Sequence, residues 1–183
     1  MKAVFLRTCT LLLASSLAAC ASTSGGGNAA GGTEVTTTHL GQPIARSRIA
    51  IEAFDAADAN SPDFTLYELA VLKQLSRLGW TYVGAVGESE QVALIDVQQG
   101  SRAALTGKLG IGGMPNGGTA SSGSVATMLE VRIRRSSDGT VVWEGRAISE
   151  DSAGRSHLDT VDALATALFR DFPGISGRTI RAR

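Results

Sequence analysis

The most regular hydrophobic pattern in the chain predicts an amphipathic helix that follows Ser61-Pro62-Asp63 and ends at Gly79. Serine is a common N-cap, proline is tolerated in the first turn, and an aspartate there faces the positive end of the helix dipole. Glycine after the last turn supplies the left-handed cap conformation. The apolar residues of this segment recur at the spacing of one helix face, namely Phe64, Tyr67, Val71, Leu72, Leu75 and Leu78.

A second helix is predicted from about Leu158 to Phe172, with Ser156 or Asp159 as its cap. Pro173-Gly174 follows the last apolar residue, and this pair cannot continue a helix. The residues expected to face the core are Val161, Leu164, Ala165, Leu168, Phe169 and Phe172.

Runs of alternating or continuous apolar residues predict four to five strands. Apolar and charged residues alternate most clearly over 125–135, and a second alternating run follows at 140–148. Asp138-Gly139 lies between the two runs, which is a strong indication of a hairpin. The other candidate strands are 48–54, 80–85 and 91–98.

These elements predict an α+β fold in two layers, with an antiparallel or mixed sheet of four to five strands and both helices packed on one face. The order strand, helix, strands, helix excludes a strictly alternating parallel fold. We place a single domain at 44–175, with a glycine-rich loop at 107–124, and we expect a basic tail at 176–183 that buries little.

The N-terminal segment predicts where the protein resides. Lys2 and Arg7 precede an apolar stretch that ends at Leu17-Ala18-Ala19-Cys20. The stretch is about a dozen residues long, whereas a helix needs ~20 to span a bilayer. Small residues before a cysteine indicate a bacterial lipoprotein signal peptide at 1–19, with Cys20 as the lipidated first residue of the mature chain. The alternatives are an ordinary cleaved signal with a chance cysteine, or an N-terminal helix.

Cysteine usage and composition agree with this interpretation. Cys9 lies in the predicted signal peptide, so the mature chain would hold Cys20 alone and no internal disulfide.

Residues 20–43 begin with Ser, Thr, Gly and Ala, and this composition predicts a flexible tether. Its reach would be roughly 20–25 Å if it runs to Thr38. Basic and acidic residues balance at 17 each, and removal of Lys2 and Arg7 leaves a slight acidic excess, which argues against a nucleic-acid partner.

The glycine-rich loop lacks the motifs that bind phosphate. It contains Gly107-Lys108 and Gly110-Ile111-Gly112, but Pro115 stands where G-x-G-x-x-G requires glycine, and a strand follows where a helix is needed. We therefore expect an inter-strand loop without a cofactor, whose length makes it a candidate for partner contact.

Few other residues suggest chemistry. His39 and His157 have no second ligand at metal-binding spacing, so no metal is expected. Asp96 in an apolar strand is a weak candidate for a perturbed carboxylate, and a solvent-facing position is the simpler interpretation. Arg132, Arg134 and Arg146 are expected to share the exposed hairpin face, either as contacts for an anionic lipid or acidic partner, or as a solvated face.

Several of these segments together resemble the bacterial lipoproteins of domain of unknown function 4136. The resemblance covers about 44–175. Besides the motif ending at Cys20, it rests on the sequences LSRLGW at 75–80, VALIDV at 92–97, SDGTVVWEG at 137–145 and ALFRDFPG at 167–174. It implies an envelope lipoprotein with a compact α/β-type domain, and it carries over no catalytic or ligand residues. The glycine-rich loop departs from the family pattern.

The leading functional expectation is a non-enzymatic periplasmic domain, anchored to the membrane through Cys20, that contacts another envelope protein. Ala21 after the cysteine, in place of aspartate, favours the outer membrane. Two alternatives stay open at this point: an enzyme acting on cell wall or lipid, motivated by Asp96 and Glu144, and a binder of a small ligand.

Overall fold

The computed structural model of the protein describes residues 32–108, 125–150 and 155–182. The strands are β1 Thr33–His39, β2 Arg48–Ala53, β3 Thr81–Tyr82, β4 Gln91–Ser101, β5 Val125–Arg135, β6 Val141–Glu150 and β7 Arg178–Ala182. The helices are α1 Pro62–Arg77, α2 Arg102–Lys108 and α3 His157–Phe169, with short 3-10 turns at Asp58–Asn60 and Val86–Glu88. Within these ranges no helix is long and apolar enough to cross a bilayer.

All seven strands form one mixed sheet in the order β3-β2-β4-β5-β6-β1-β7. β2 pairs in parallel with β3 and β4, and the other neighbours are antiparallel. The predicted α+β class is confirmed. The predicted counts of four to five strands and two helices are too low, because β1, β7 and α2 were not expected.

Both long helices begin, and α1 ends, for the reasons given by their sequences, whereas α3 ends at Phe169, three residues before the predicted end at Phe172. Ser61 caps α1 by accepting a hydrogen bond from the Asp63 N–H, and Gly79 follows the helix with φ +100°. Ser156 caps α3 by accepting from the Asp159 N–H. The two helices pack side by side on one face of the sheet, as predicted, and bury a core that includes Val71, Leu75, Leu129, Val131, Ile133, Leu164 and Leu168.

An aromatic cluster joins the hairpin to the chain after α3. Trp143 of β6 stacks on Phe169 with ring centroids 5.3 Å apart and lies 5.1 Å from Phe172. Its indole N–H donates to the Pro173 carbonyl at 3.0 Å. A Cβ at Gly145 would overlap the Trp143 ring, so glycine is required two positions after the tryptophan. The Trp-x-Gly and Phe-Pro segments therefore meet in the same part of the core.

The opposite face of the sheet carries α2. Leu105 of this helix packs with Ala126, Met128 and Ile148 in a second, smaller core. Since side chains alternate along β5, these residues lie on the face away from α1 and α3. The prediction of a loop over 107–124 is wrong at its start, because α2 extends to Lys108. The rest of that loop lies outside the described residues.

The predicted tether is wrong at its C-terminal end. Residues 33–39 form β1, which lies between β6 and β7 instead of next to β2. Val35 and Thr37 are buried, whereas their neighbours Glu34 and Thr36 project from the other face. Threonine and valine favour strands. However, four of the seven residues of this segment are threonines, so apolar and polar residues do not alternate clearly along it. Folded structure therefore begins about ten residues before the predicted boundary at 44.

The predicted basic tail is also wrong. Residues 178–182 form β7, which pairs with β1, and Ile180 and Ala182 pack against the core.

The predicted strand at 80–85 is reduced to the two residues of β3. Its Trp80 is buried and donates from the indole N–H to the Gln91 side chain at 2.6 Å.

Candidate functional site

Of the predicted site residues, the structure brings the three arginines together. Arg132 and Arg134 lie on β5 and Arg146 on β6, on the face opposite α1 and α3. We call this surface the charged face and define it by Glu52, Asp96, Glu130, Arg132, Arg134, Glu144 and Arg146. Cys20, the predicted lipid attachment residue, lies outside the described residues.

Two glutamates and two arginines close a ring on the charged face. The register places Glu130 opposite Arg146 and Glu144 opposite Arg132. Arg146 Nε lies 3.1 Å from Glu130 Oε2, and its terminal nitrogen lies 2.8 Å from Glu144 Oε1. Arg132 Nε lies 3.2 Å from Glu144 Oε2 and 2.5 Å from Glu130 Oε1. Each charge therefore touches two charges of opposite sign, and we call these four residues the ion-pair ring.

The ion-pair ring is largely removed from solvent. The Glu130 side chain is 10% exposed, and those of Arg132 and Arg146 are 27% and 20% exposed. The short contact between Glu130 Oε1 and Arg132 Nε is not aligned as a hydrogen bond, so its attraction is Coulombic. Charges this far from water are stable only when they are paired, so the ring holds its members in place.

The ring changes the expectation for the arginines. The sequence left two interpretations of these arginines open, a contact for an anionic lipid or acidic partner and a solvated strand face. In the structure the charges of Arg132 and Arg146 are neutralised by Glu130 and Glu144. Arg134 contacts Glu52 at 3.4 Å. All three arginines are thus ion-paired with glutamates, and their contact with an anionic partner stays a prediction.

An exposed aromatic ring adjoins this balanced surface. The Arg132 guanidinium lies 4.4 Å from the centroid of the Phe54 ring, and about half of Phe54 is exposed. A cation over an aromatic face is attracted by the ring quadrupole and fixes the ring's orientation. Phe54 and the outer edges of the ion-pair ring together offer apolar and polar groups side by side, which suits contact with a protein surface.

The two carboxylates behind the enzyme alternative share this face. Asp96 of β4 lies opposite Glu130, and its Oδ2 accepts a hydrogen bond from Gln98 at 2.5 Å. Glu144 is engaged by both arginines of the ring. β5 separates the strands that carry Asp96 and Glu144, and each carboxylate has its own polar partner. Neither is paired with a nucleophilic side chain in the hydrogen bonds of the described residues.

Both histidines make structural contacts. His157 at the start of α3 bonds through Nε2 to the Tyr67 hydroxyl at 2.7 Å and through Nδ1 to Gln99 at 2.6 Å. Burial, followed by the nearby Asp63 and Asp58, raises the pKa of Tyr67 above its ordinary value. His39 lies 3.3 Å from the Gly174 carbonyl. No group of three or more metal-ligating side chains occurs in the part of the chain that the structure describes.

The ion-pair ring was missed from the sequence, although its signal is present. Glu130 and Arg132 alternate along one strand of the predicted hairpin, and Glu144 and Arg146 alternate along the other. Opposite charges on facing strands attract when the register aligns them. The turn at Asp138-Gly139 does not set this register alone, because the pairing shifts by one residue between Ile133 and Arg134. The sequence therefore shows the opposite charges but not which residues face each other.

No family model matches the chain. A 65-residue stretch is 37% identical to the uncharacterised protein ZMO1243 of Zymomonas mobilis, covering 34% of this chain and 24% of that protein. The fold is similar to that of a PDZ domain protein from Parabacteroides distasonis, with TM-score 0.58, 12% identity, and coverage of 83% of this chain and 38% of that one. PelC from Paraburkholderia phytofirmans, solved as a dodecamer, is similar with TM-score 0.44 and 16% identity, over 75% of this chain and 91% of that one.

The chain thus spans about a quarter of the curated relative that it matches and less than half of the Parabacteroides distasonis chain. The likeness to the Parabacteroides distasonis protein extends to a shared fold and identifies no activity.

Proposed function

We propose that the protein is a lipid-anchored lipoprotein of the bacterial envelope, whose periplasmic domain binds another envelope component without catalysing a reaction. The observation that carries this proposal is the sequence Leu17-Ala18-Ala19-Cys20, after a short apolar stretch with Lys2 and Arg7 at its front. The resemblance to the lipoproteins of domain of unknown function 4136 supports the same assignment.

The position of β1 supports a close attachment to the membrane. Twelve residues, 21–32, separate Cys20 from the first residue of β1, Thr33. If these residues form the tether that the sequence predicts, their average reach is roughly 17–21 Å. The anchored domain would therefore stay near the bilayer surface. Ala21 after the cysteine favours the inner leaflet of the outer membrane in a Gram-negative cell.

The charged face is the proposed contact surface for the partner. Its ion-pair ring is neutral, so it would not attract anions in general. The half-exposed Phe54 beside Arg132 supplies the apolar part of a mixed surface. A partner of similar mixed character fits this surface better than an anionic lipid or a nucleic acid.

The anchor is tested by comparing two cysteine variants in cells grown with labelled palmitate. Cys20→Ala should abolish incorporation of the label and release the protein from the membrane fraction. Cys9→Ala is the matched control, because Cys9 lies in the segment to be removed, and it should be labelled and anchored like the parent. Labelling of Cys20→Ala, or its persistence in the membrane fraction, would overturn the proposal.

The contact surface is tested separately by photo-crosslinking in living cells. Benzoylphenylalanine is placed at Phe54 on the charged face and, as a control, at the exposed Leu69 of α1 on the helix layer. One discrete crosslinked product from position 54 and none from position 69 is expected. Equal products from both positions, or none from position 54, would contradict binding through this face.

The enzyme alternative predicts a different result. If Asp96 or Glu144 acted on a cell-wall or lipid substrate, Asp96→Asn or Glu144→Gln would abolish complementation of a deletion strain while the protein folded and localised normally. Under the binding proposal, Asp96→Asn is expected to complement.

A further inference from the structure

A small cavity lies at the end of the sheet where β4 begins. Its volume is about 210 Å³, and it is enclosed by the segment that joins β1 to β2, the start of β4, the end of β5 and the start of β6. None of its lining residues belongs to the charged face. The cavity is therefore separate from the contact surface proposed above.

Most of the cavity wall is apolar. The apolar lining residues are Leu40, Pro43, Ile44, Ala45 and Val142. Ile44 and Val142 are partly buried and pack against the main core, whereas Leu40 is 57% exposed. A concave apolar wall favours a ligand with an apolar body, because binding removes both surfaces from water.

One buried polar side chain, that of Gln91, lines the same cavity. Gln91 is only 4% exposed, and its Oε1 accepts a hydrogen bond from the Trp80 indole N–H at 2.6 Å. This bond fixes the orientation of the amide, whose Nε2 carries two donors. None of the hydrogen bonds between described side chains uses this nitrogen. A buried donor without an acceptor is unfavourable, so a ligand oxygen in the cavity would satisfy it.

A cation stands beside this donor. Arg135 lies directly opposite Gln91 in the register of β4 and β5, and both residues line the cavity. Residues directly opposite each other project from the same face of a sheet. One terminal nitrogen of Arg135 contacts Asp138 at 3.2 Å, with about half of each side chain exposed. Because a guanidinium has five N–H donors, this contact engages only part of its hydrogen-bonding capacity.

We propose that this cavity binds a small aliphatic carboxylate. The carboxylate accepts a hydrogen bond from Gln91 Nε2 beside the positive charge of Arg135, and the aliphatic chain lies against Ile44 and Val142. The cavity is smaller than the roughly 300–1,000 Å³ of ordinary ligand pockets, which favours a short chain. An ammonium ligand does not fit, since Nε2 offers only donors and Arg135 would repel it. The proposal depends on neither the lipid anchor nor the charged face.

The first test measures binding to the detergent-solubilised full chain, labelled with ¹⁵N-tryptophan. Hexanoate is titrated while NMR follows the indole N–H signal of Trp80, which is bonded to the Gln91 side chain. Hexanoate should shift this signal saturably, and hexylammonium, with the same chain and the opposite charge, should not. Equal shifts with both compounds, or no saturable shift with hexanoate, would overturn the proposal.

The second test locates the ligand. Ala45→Phe adds a ring to the cavity wall from an exposed position and should abolish the saturable shift. Ala56→Phe is the matched control, because Ala56 is also exposed but does not line the cavity, and it should bind hexanoate like the parent. Binding that is unchanged in Ala45→Phe, or lost equally in both variants, would contradict a ligand at this site.

The third test concerns the polar contact. Gln91→Glu retains an acceptor for Trp80 but replaces the donor with a carboxylate, so it should weaken hexanoate binding by about tenfold or more. Circular dichroism shows whether the variant folds. A folded Gln91→Glu chain that binds hexanoate as tightly as the parent would rule out the proposed hydrogen bond; if the variant unfolds, the comparison of Ala45→Phe with Ala56→Phe decides alone.

Discussion

Glu130 and Arg146 face each other across β5 and β6, with Glu130 Oε2 3.1 Å from Arg146 Nε and only a tenth of the Glu130 side chain exposed. Because Glu130 also contacts Arg132, it lies between two cations. The loss of its charge would leave both arginines poorly compensated in a site that water reaches little. This relationship makes the charged face a part of the fold as well as a proposed contact surface.

Glu130→Gln is expected to lower the free energy of unfolding by about 1–3 kcal/mol, because charged groups with little access to water lose a partner. The measurement is urea denaturation followed by circular dichroism. Glu90→Gln is the control: Glu90 pairs with Arg48 at 3.5 Å, and both side chains are more than half exposed. An exposed pair contributes about 0–1 kcal/mol, so equal losses in the two variants would show that burial of the ion-pair ring is unimportant.

Gly145→Ala is expected to destabilise the domain by about 1–3 kcal/mol or more, because the added methyl group overlaps the Trp143 ring and lies 2.8 Å from Leu168. Thermal unfolding measures the effect. Gly87→Ala is the control, since a methyl group there meets nothing within 4 Å. A Gly145→Ala variant as stable as the parent would mean that Trp143 does not occupy this position.

Val35→Asp tests whether β1 belongs to the folded domain. Val35 is 3% exposed, so a carboxylate there should cost at least about 3 kcal/mol. Leu40→Asp, just after the strand and 57% exposed, should change stability by less than about 0.5 kcal/mol. Unfolding by urea distinguishes the two. A tolerated aspartate at position 35 would restore the tether predicted from the sequence.

The alkaline titration of tyrosine should reflect the burial of Tyr67. Burial raises the pKa of this phenol, with Asp63 and Asp58 adding to the effect, and a hydrogen bond to Glu68 raises the pKa of Tyr82. Tyrosinate absorbance should therefore develop above pH 10 in the folded protein. In urea it should develop near the ordinary value of about 10.

The sign of the stability change follows from these shifts. A raised pKa means that the folded state favours the neutral phenol, so the stabilisation is present below about pH 10 and is lost as pH rises through the folded value. Tyr67→Phe should weaken this alkaline loss of stability and leave one titrating tyrosine. Identical titrations of the folded and the urea-unfolded protein would contradict burial of the phenol.

The sequence predicted those elements whose causes are local. Ser61, Pro62 and Gly79 mark the ends of α1, and Asp138-Gly139 marks the hairpin, because caps and tight turns depend on a few adjacent residues. The charged positions of β5 and β6 were likewise placed on the correct face. Their pairing into a ring was not predicted, because it depends on the register between the two strands.

By itself, the sequence determined the helices α1 and α3 and the hairpin. It also contains the motif that ends at Cys20, whose role as a lipid anchor is still a prediction. Only the tertiary structure decided that β1 and β7 are strands. Thr36 of β1 and Thr179 of β7 share a hydrogen bond across 143 positions of the chain. Neither segment has enough local hydrophobic alternation to identify it as a strand, because each is stabilised by backbone pairing with distant strands and by few core contacts, such as those of the buried Val35 and the partly buried Ile180.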